Sequence, residues 1–181
     1  NSNLVGETFT AISNGETGNK NYYAKWLVNS YNVTLEANGG VINSGNVTEY
    51  VYGNGATLPV EVSRSGYTFA GWYDANNDRV VRISESDFGD KNFTAQWTAN
   101  KYTITFVSND GTINGEYPTI YNYGEGASLP ADVEKNGYEF QGWYTNDSYE
   151  GEAIQSISST DMGNKMFWAK WKRIVYTIAL N

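Results

Sequence analysis

Apolar and polar residues alternate with a period of two in short bursts along this chain. Tyr102, Ile104 and Phe106 share one face of a segment whose other face holds Thr103, Thr105 and Val107. Tyr31, Val33 and Leu35 keep the same phase, as do Tyr176, Ile178 and Leu180. That pattern predicts half-buried strands. Asn38-Gly39-Gly40 and Asn109-Asp110-Gly111 follow two of them with turn chemistry, predicting a hairpin into a second strand. Leu58-Pro59 and Leu129-Pro130 end that second region, because proline cannot donate to a ladder. In GYEFQGWY, Tyr138 and Phe140 share a face and Gly142 precedes Trp143. A glycine there predicts a bulge that turns the indole inward. Ser at the start of SSTDMGN, 158–164, and Gly163 as its left-handed exit predict a one-turn helix. The closing strand sets Phe167, Ala169 and Trp171 on one face.

The same order of elements occurs more than once. One full unit runs over residues 31–97 and a second over 102–171, each carrying a strand, a Gly-rich turn, Leu-Pro, the phrase GYxFxGWY and a closing strand ending in Trp. Residues 1–26 match the back part of a further unit, and 176–181, YTIALN, restart the front part of another. Trp26 to Trp97 is 71 residues and Trp97 to Trp171 is 74. The four-residue connectors LVNS, TANK and KRIV contain neither Gly nor Pro. Fully extended, such a connector spans about 13 Å, at roughly 3.3 Å per residue, so neighbouring units must nearly touch. The expectation is a semi-stiff string of beads.

Comparing the copies separates core from surface. In the last strand the inward trio is Tyr22/Ala24/Trp26, Phe93/Ala95/Trp97 and Phe167/Ala169/Trp171, while the position between its first two members is Tyr23, Thr94 or Trp168. Positions that keep their chemistry read as core, and the one that wanders reads as solvent face. The phrases FAGWY and FQGWY then recur because one small core recurs. Tyr31, Phe69, Trp72 and Trp97 are its predicted ring residues in the first unit, and Tyr102, Phe140, Trp143, Phe167 and Trp171 in the second.

Composition narrows the chemistry. Six Trp, 15 Tyr and 7 Phe supply a ring-built core where aliphatic residues are sparse. A net charge of −8 argues against nucleic acid and against attraction to anionic membranes. The absence of Cys and His removes disulfides, thiolate sites and the usual Ser–His relay. No stretch approaches the roughly 18 apolar residues of a membrane span, so no membrane insertion is expected of this segment. No signal-peptide pattern opens the chain. Both ends break off inside the repeat pattern, so the expectation is a piece of something longer.

YTITFVSNDG, LP, GYEFQGWY and MGNKMFWAKW together resemble the Listeria–Bacteroides repeat, the internalin B-type B-repeat of bacterial surface proteins. The resemblance covers both full units and both fragments. Val107-Ser108 with Asp110 departs from the usual Asn-Gly-Gly turn and leaves the hairpin type open. The resemblance implies a β-rich α+β fold of tandem, ubiquitin-like β-grasp repeats. It also implies export to the bacterial cell surface or wall, and a stalk or adhesion role. It brings no catalytic residue and no cofactor.

Candidate sites can be weighed directly. Asp74, Asn76, Asp78 and Glu85 occupy positions 1, 3, 5 and 12 of a calcium-loop template, but Arg79 stands where its glycine belongs, which favours an Asx-rich turn. The scattered carboxylates repeat no convincing acid–base pair, so no enzyme is expected. Trp168 and Tyr23 on the variable face, with Tyr52, Tyr121 and Tyr123 flanking it, are candidates for stacking on a glycan or anchoring a host surface protein. The opposing reading is cross-strand ring packing on a wet face. The truncated ends, as unpaired strands, are expected to pair, between molecules if not within one. The expected function is a non-catalytic spacer or adhesion-associated segment that presents a distal domain, with direct ligand recognition as the alternative.

Overall fold

The computed structural model describes residue 8 and residues 10–179. Among these residues every regular element is a strand, and eight strands have three or more residues. In the first repeat these are β1 (Ser30–Glu36), β2 (Glu49–Val51), β3 (Tyr67–Tyr73) and β4 (Lys91–Ala99). In the second they are β5 (Lys101–Val107), β6 (Ile120–Asn122), β7 (Tyr138–Tyr144) and β8 (Lys165–Arg173). Each repeat forms one mixed sheet, ordered β2-β1-β4-β3 and β6-β5-β8-β7, with the pair Arg79–Val80 extending the first sheet beyond β3. The first and last strands of each repeat lie parallel at the centre, Val33 opposite Lys91 and Ile104 opposite Lys165; all other pairings are antiparallel.

Two-residue ribbons cover one face of each sheet. Val41–Ile42 pairs with Val62–Ser63 and Ala56–Thr57 with Arg82–Ile83; in the second repeat Thr112–Ile113 pairs with Val133–Glu134 and Ala127–Ser128 with Ser156–Ile157. Single aliphatics from this layer, Leu58 and Ile83 or Leu129 and Ile157, meet the sheet's inward rings to form two separate cores.

Trp72 and Trp143 are the centres of these cores, each 2 % exposed. Their indole N–H groups donate to the Pro59 and Pro130 carbonyls at 2.7 Å, which satisfies a buried donor that would otherwise carry a desolvation penalty. Phe69 and Phe140 each bridge two indoles, with centroids 5.6 and 5.3 Å from Trp72 and Trp97, and 5.4 and 5.3 Å from Trp143 and Trp171. The expected bulge is present in both copies. The register shifts between Phe69 and Gly71 and between Phe140 and Trp143, and Gly71 and Gly142 take φ of 141° and 108°. Of the other ring residues assigned to the core from sequence, Phe167 is buried, and Tyr31, Trp97, Tyr102 and Trp171 pack against the core partly exposed.

Several expectations are corrected. β1 and β5 do pair antiparallel with β2 and β6, the second strands expected, but not through a tight hairpin. The turn leads first into the ribbon segments Val41–Ile42 and Thr112–Ile113. Both turns have positive φ at both central residues, 50° and 81° at Asn38 and Gly39, 52° and 63° at Asn109 and Asp110, so the two sequences give the same turn type. The Asn side chains donate to the Ala95 and Ala169 carbonyls on the last strand, which holds the turn there and sends the chain away into the covering layer. The closing indole completes this tie. Trp97 and Trp171 donate to the Ala37 and Ser108 carbonyls, and a Cβ on Gly40 or Gly111 would lie 2.2 Å from the indole.

The segment 158–164 is no helix, and the fold is all-β among the described residues. Asp161 accepts the Ser158 N–H and the backbone makes a single turn, as Asp87 and Ser84 do in the first repeat. The residues before β1 contain no strand from 10 to 29, and Trp26 is 88 % exposed, so the inward trio does not extend to Tyr22, Ala24 and Trp26. Residues 174–179 contain no strand either, and Tyr176 and Ile178 are exposed; Leu180 and Asn181 lie outside the described residues.

Two predictions follow from the cores. Trp143→Ala should cost about 3–5 kcal/mol, enough to unfold a unit of this size while the first repeat stays folded. Amide resonances of residues 102–173 should collapse and those of 30–99 persist; loss of both sets together, or of neither, would contradict two separate cores. The second concerns alkali. Tyr50 and Tyr121, each 3 % exposed, donate their hydroxyls to the Gly89 and Gly163 carbonyls at 2.7 and 2.6 Å. Burial, assisted by Asp87 beside Tyr50 and Asp161 beside Tyr121, raises both phenols above the ordinary value of 10.0. The folded state therefore keeps protons that the unfolded state releases, so their contribution is complete below pH 10 and declines as pH climbs through the raised values. Urea midpoints should fall above pH 10, and less steeply in Tyr50→Phe with Tyr121→Phe.

Candidate functional site

The aromatic positions singled out from sequence fall in different places. Trp168 is half-buried on the outer face of β8, in register with Val107 on β5 and Tyr144 on β7. Lys170, two residues on along the same face, places its ammonium 4.8 Å from the Tyr144 ring centroid and 5.8 Å from that of Tyr149. The Tyr144 and Tyr149 rings meet edge to face, and Asn109 donates to the Tyr149 hydroxyl at 2.9 Å. The first repeat has Thr94 opposite Tyr73 and Gln96 at the corresponding places, so this cluster belongs to one repeat only. Tyr23, 75 % exposed, lies in the strandless stretch before β1 and belongs to no sheet face. Tyr121 is not an outer residue at all; it is core.

The calcium template is not assembled. The Asp74 carboxylate accepts the backbone amides of Asn76 and Asp78, forming an Asx-type turn, while Glu85 lies in a separate turn beyond the second ribbon, 3.9 Å from Arg82. Among the described residues no three acidic side chains converge as a metal cluster. The cleft beside Trp143, lined by Leu129, Pro130, Phe140, Gly142 and Ala153, contains no titratable side chain.

The most heavily built feature outside the cores is the junction between the repeats. The connector TANK is not a linker: Thr98 and Ala99 pair with Thr68 and Tyr67 as the end of β4, and Lys101 pairs with Asn122 as the start of β5. Asn100 alone separates the strands. Its N–H donates to the Gly66 carbonyl of the first repeat at 3.0 Å, and its carbonyl accepts the Tyr123 N–H of the second at 2.9 Å. Thr68 donates to its side-chain oxygen at 2.7 Å.

Tyr123 crosses to the first repeat and lies edge to face with Tyr67, centroids 5.4 Å apart at 80°. Its ring covers Gly66 so closely that a Cβ there would fall 2.3 Å from a ring carbon. Gly66 is therefore glycine for two reasons, its φ of 78° and the ring above it. Arg64, whose guanidinium carbon is 4.1 Å from the Tyr67 centroid, also donates to the Asn38 carbonyl, linking the ledge formed by residues 64–67 to the turn after β1. Ser65 and Met162 make a further contact across the junction, oxygen to sulfur 3.8 Å. Sequence reading singled out neither Gly66 nor Asn100. The signal available was the recurrence of Gly-Tyr at 66–67 and 137–138 and of Tyr-Gly at 52–53 and 123–124.

Comparison with known proteins agrees with this organisation. The family model described as the Listeria-Bacteroides repeat domain matches twice, over residues 31–101 and 102–170. A putative Gly-rich membrane protein of Evansella cellulosilytica is 35% identical over 166 residues, 87% of this chain and 18% of that protein. A putative membrane protein of the same organism is 34% identical, covering 86% of this chain and 23% of its own length. Internalin H of Listeria monocytogenes is 36% identical over 89 residues, 48% of this chain and 16% of the relative. The chain thus spans less than a quarter of the length of each of these relatives. No solved structure matches it. With the joint and all but the outermost strand ends of both sheets falling inside the two matched stretches, the chain belongs to the Listeria-Bacteroides repeat family.

Proposed function

We propose that this chain is a non-catalytic spacer segment of an exported bacterial surface protein, holding a distal domain at a set distance and orientation. The observation that carries this is the joint: three of the four connector residues are spent in strands, and the fourth is hydrogen-bonded to both repeats. Such a junction transmits orientation, where a free linker would only tether. The names of the relatives, two membrane proteins and an internalin, support a place at the cell surface. Each repeat is read as a helix-free variant of the β-grasp fold, on the strength of its central parallel pair made by first and last strands.

A spin-label distance measurement tests the spacer. The chain has no cysteine, so Val81→Cys and Asp147→Cys, both exposed, place one label in each repeat. The distance distribution should be narrow. Gly66→Ala should broaden it by forcing the Tyr123 ring away. Gly137→Ala is the matched control, with the same φ of 78° and nothing within 4 Å of its Cβ position. Both substitutions carry a left-handed penalty of roughly 1–2 kcal/mol, so only the difference between them reports the joint. A broad distribution in the unsubstituted chain would overturn the proposal.

The second reading is recognition of a host protein or glycan by the outer face of β8, favoured by the grouping of Trp168, Tyr144, Tyr149 and Lys170 in one repeat. Trp168→Ala should then abolish any ligand found on a glycan array or in a pull-down. Binding indifferent to that change would exclude this face.

A further inference from the structure

Each half of the joint occurs a second time, without its counterpart. Beyond the second repeat, Ile174 donates its N–H to the Gly137 carbonyl at 2.9 Å, as Asn100 does to Gly66. The ledge there is fully formed: Tyr138 donates to the Lys135 carbonyl at 3.0 Å, as Tyr67 does to Arg64 at 3.1 Å, and both turns have a glycine φ of 78°. Lys135 sets its ammonium 4.8 Å from the Tyr138 centroid and reaches the Asn109 carbonyl at 2.7 Å, as Arg64 reaches Asn38. What differs is the cover. Gly66 is buried under Tyr123, whereas Gly137 and Tyr138 are exposed.

At the other end Tyr52 donates its N–H to the Asn29 carbonyl at 3.0 Å, the position that Tyr123 and Asn100 occupy at the joint. Tyr52 is 49 % exposed, and nothing lies within 4 Å of a Cβ on Gly53, where the equivalent Gly124 faces the Tyr67 hydroxyl.

We propose that the Lys135–Gly137–Tyr138 ledge is a docking surface for the Tyr–Gly turn of a further repeat of this type, seated as Tyr123–Gly124 is seated on Gly66 and Tyr67. The occupant is fixed by the joint already formed within the molecule, since the ledge has the same backbone, the same ring and a cation in the same role. Both open faces are preformed, so docking requires little reorganisation and loses little affinity to it. The joint is heterologous: one face of a repeat meets a different face of the next, so it can be repeated from unit to unit and gives every successive repeat the same rotation. Two elements are not reproduced: Asn136 stands at the place of Ser65, which meets Met162 at the first joint, and the Thr68–Asn100 side-chain bond has no equivalent. Ile174 replaces Asn100 and cannot accept a side-chain hydrogen bond, and Glu139, at the place of Thr68, instead approaches Lys172 at 3.9 Å. The second joint therefore rests on the backbone pair and the tyrosines.

This inference rests on the spacer reading, and one experiment separates the two. Residues 1–175 are followed directly by a second copy of 102–175, which puts Lys172–Val175 where Thr98–Lys101 stands at the first joint. Label pairs are then placed across the first junction and, in a separate sample, across the new one. Both distributions should be narrow. Gly137→Ala, silent in the unextended chain, should now broaden the new junction several-fold in width and leave the first unchanged. Alanine at the appended copy of Tyr123 should do the same without touching a glycine. A new junction that is broad from the outset, or narrow but indifferent to both substitutions, overturns the docking proposal. A broad first junction overturns the spacer reading instead.

Discussion

The buried indole N–H governs much of this fold. A repeat of about 70 residues without a helix has little apolar area to remove from water, and one Trp supplies a large share of it. That share is available only if the ring enters fully, and full entry strands a donor. The Pro59 and Pro130 carbonyls receive it, in both repeats 13 residues before the Trp. Leu-Pro is thus more than a strand terminator: Leu packs in the core, and the proline that follows offers an acceptor. The glycine bulge one residue before the Trp serves the same end, because an unshifted strand would alternate Phe69 and Gly71 inward and Trp72 outward.

The second indole of each repeat settles the topology. Trp97 and Trp171 lie over Gly40 and Gly111 and bond the carbonyl that opens the preceding turn, while Asn38 and Asn109 reach the last strand from the other side. The turn after the first strand is therefore fastened to the last strand, nearly 60 residues away in the chain. A first strand pinned this way pairs in parallel with the last one and leaves its antiparallel edge for β2 or β6. The intervening chain has only the covering layer to occupy.

Strand phase, the bulge and the inward rings were legible because period-two alternation and copy-to-copy comparison both encode burial locally. Tertiary destination was not. The Asn-Gly-Gly turn read as a hairpin because its local geometry suits one, and nothing local reveals that Asn38 bonds to Ala95. The Ser158–Asp161 segment carries a capping residue, but its side chain closes a turn and no further residue follows in helical register. A strand of three residues is too short to display its phase, so the pattern around Tyr121 does not reveal that it is core. Alternation at Tyr176 and Ile178 signals a strand that needs a partner, and in the described residues that segment is not in a sheet. The joint was hidden for a related reason. Gly66 and Tyr123 each look like ordinary turn residues until the two repeats are seen together.

The joint also explains which parts of the junction can vary. LVNS, TANK and KRIV share almost no chemistry, yet the second and third make the same backbone contact to a Gly-Tyr turn, and the first and second the same contact from a Tyr-Gly turn. Contacts through N–H and C=O groups are indifferent to side chains, so the connector can drift in sequence while its path stays fixed. Holding each such residue costs roughly 1–2 kcal/mol of backbone entropy, which strand pairing on both sides offsets. The side-chain requirement moves away from the connector, to a glycine that must leave room and a tyrosine that must fill it. The packing between these two repeats accordingly depends on two residues that lie outside the segment joining them.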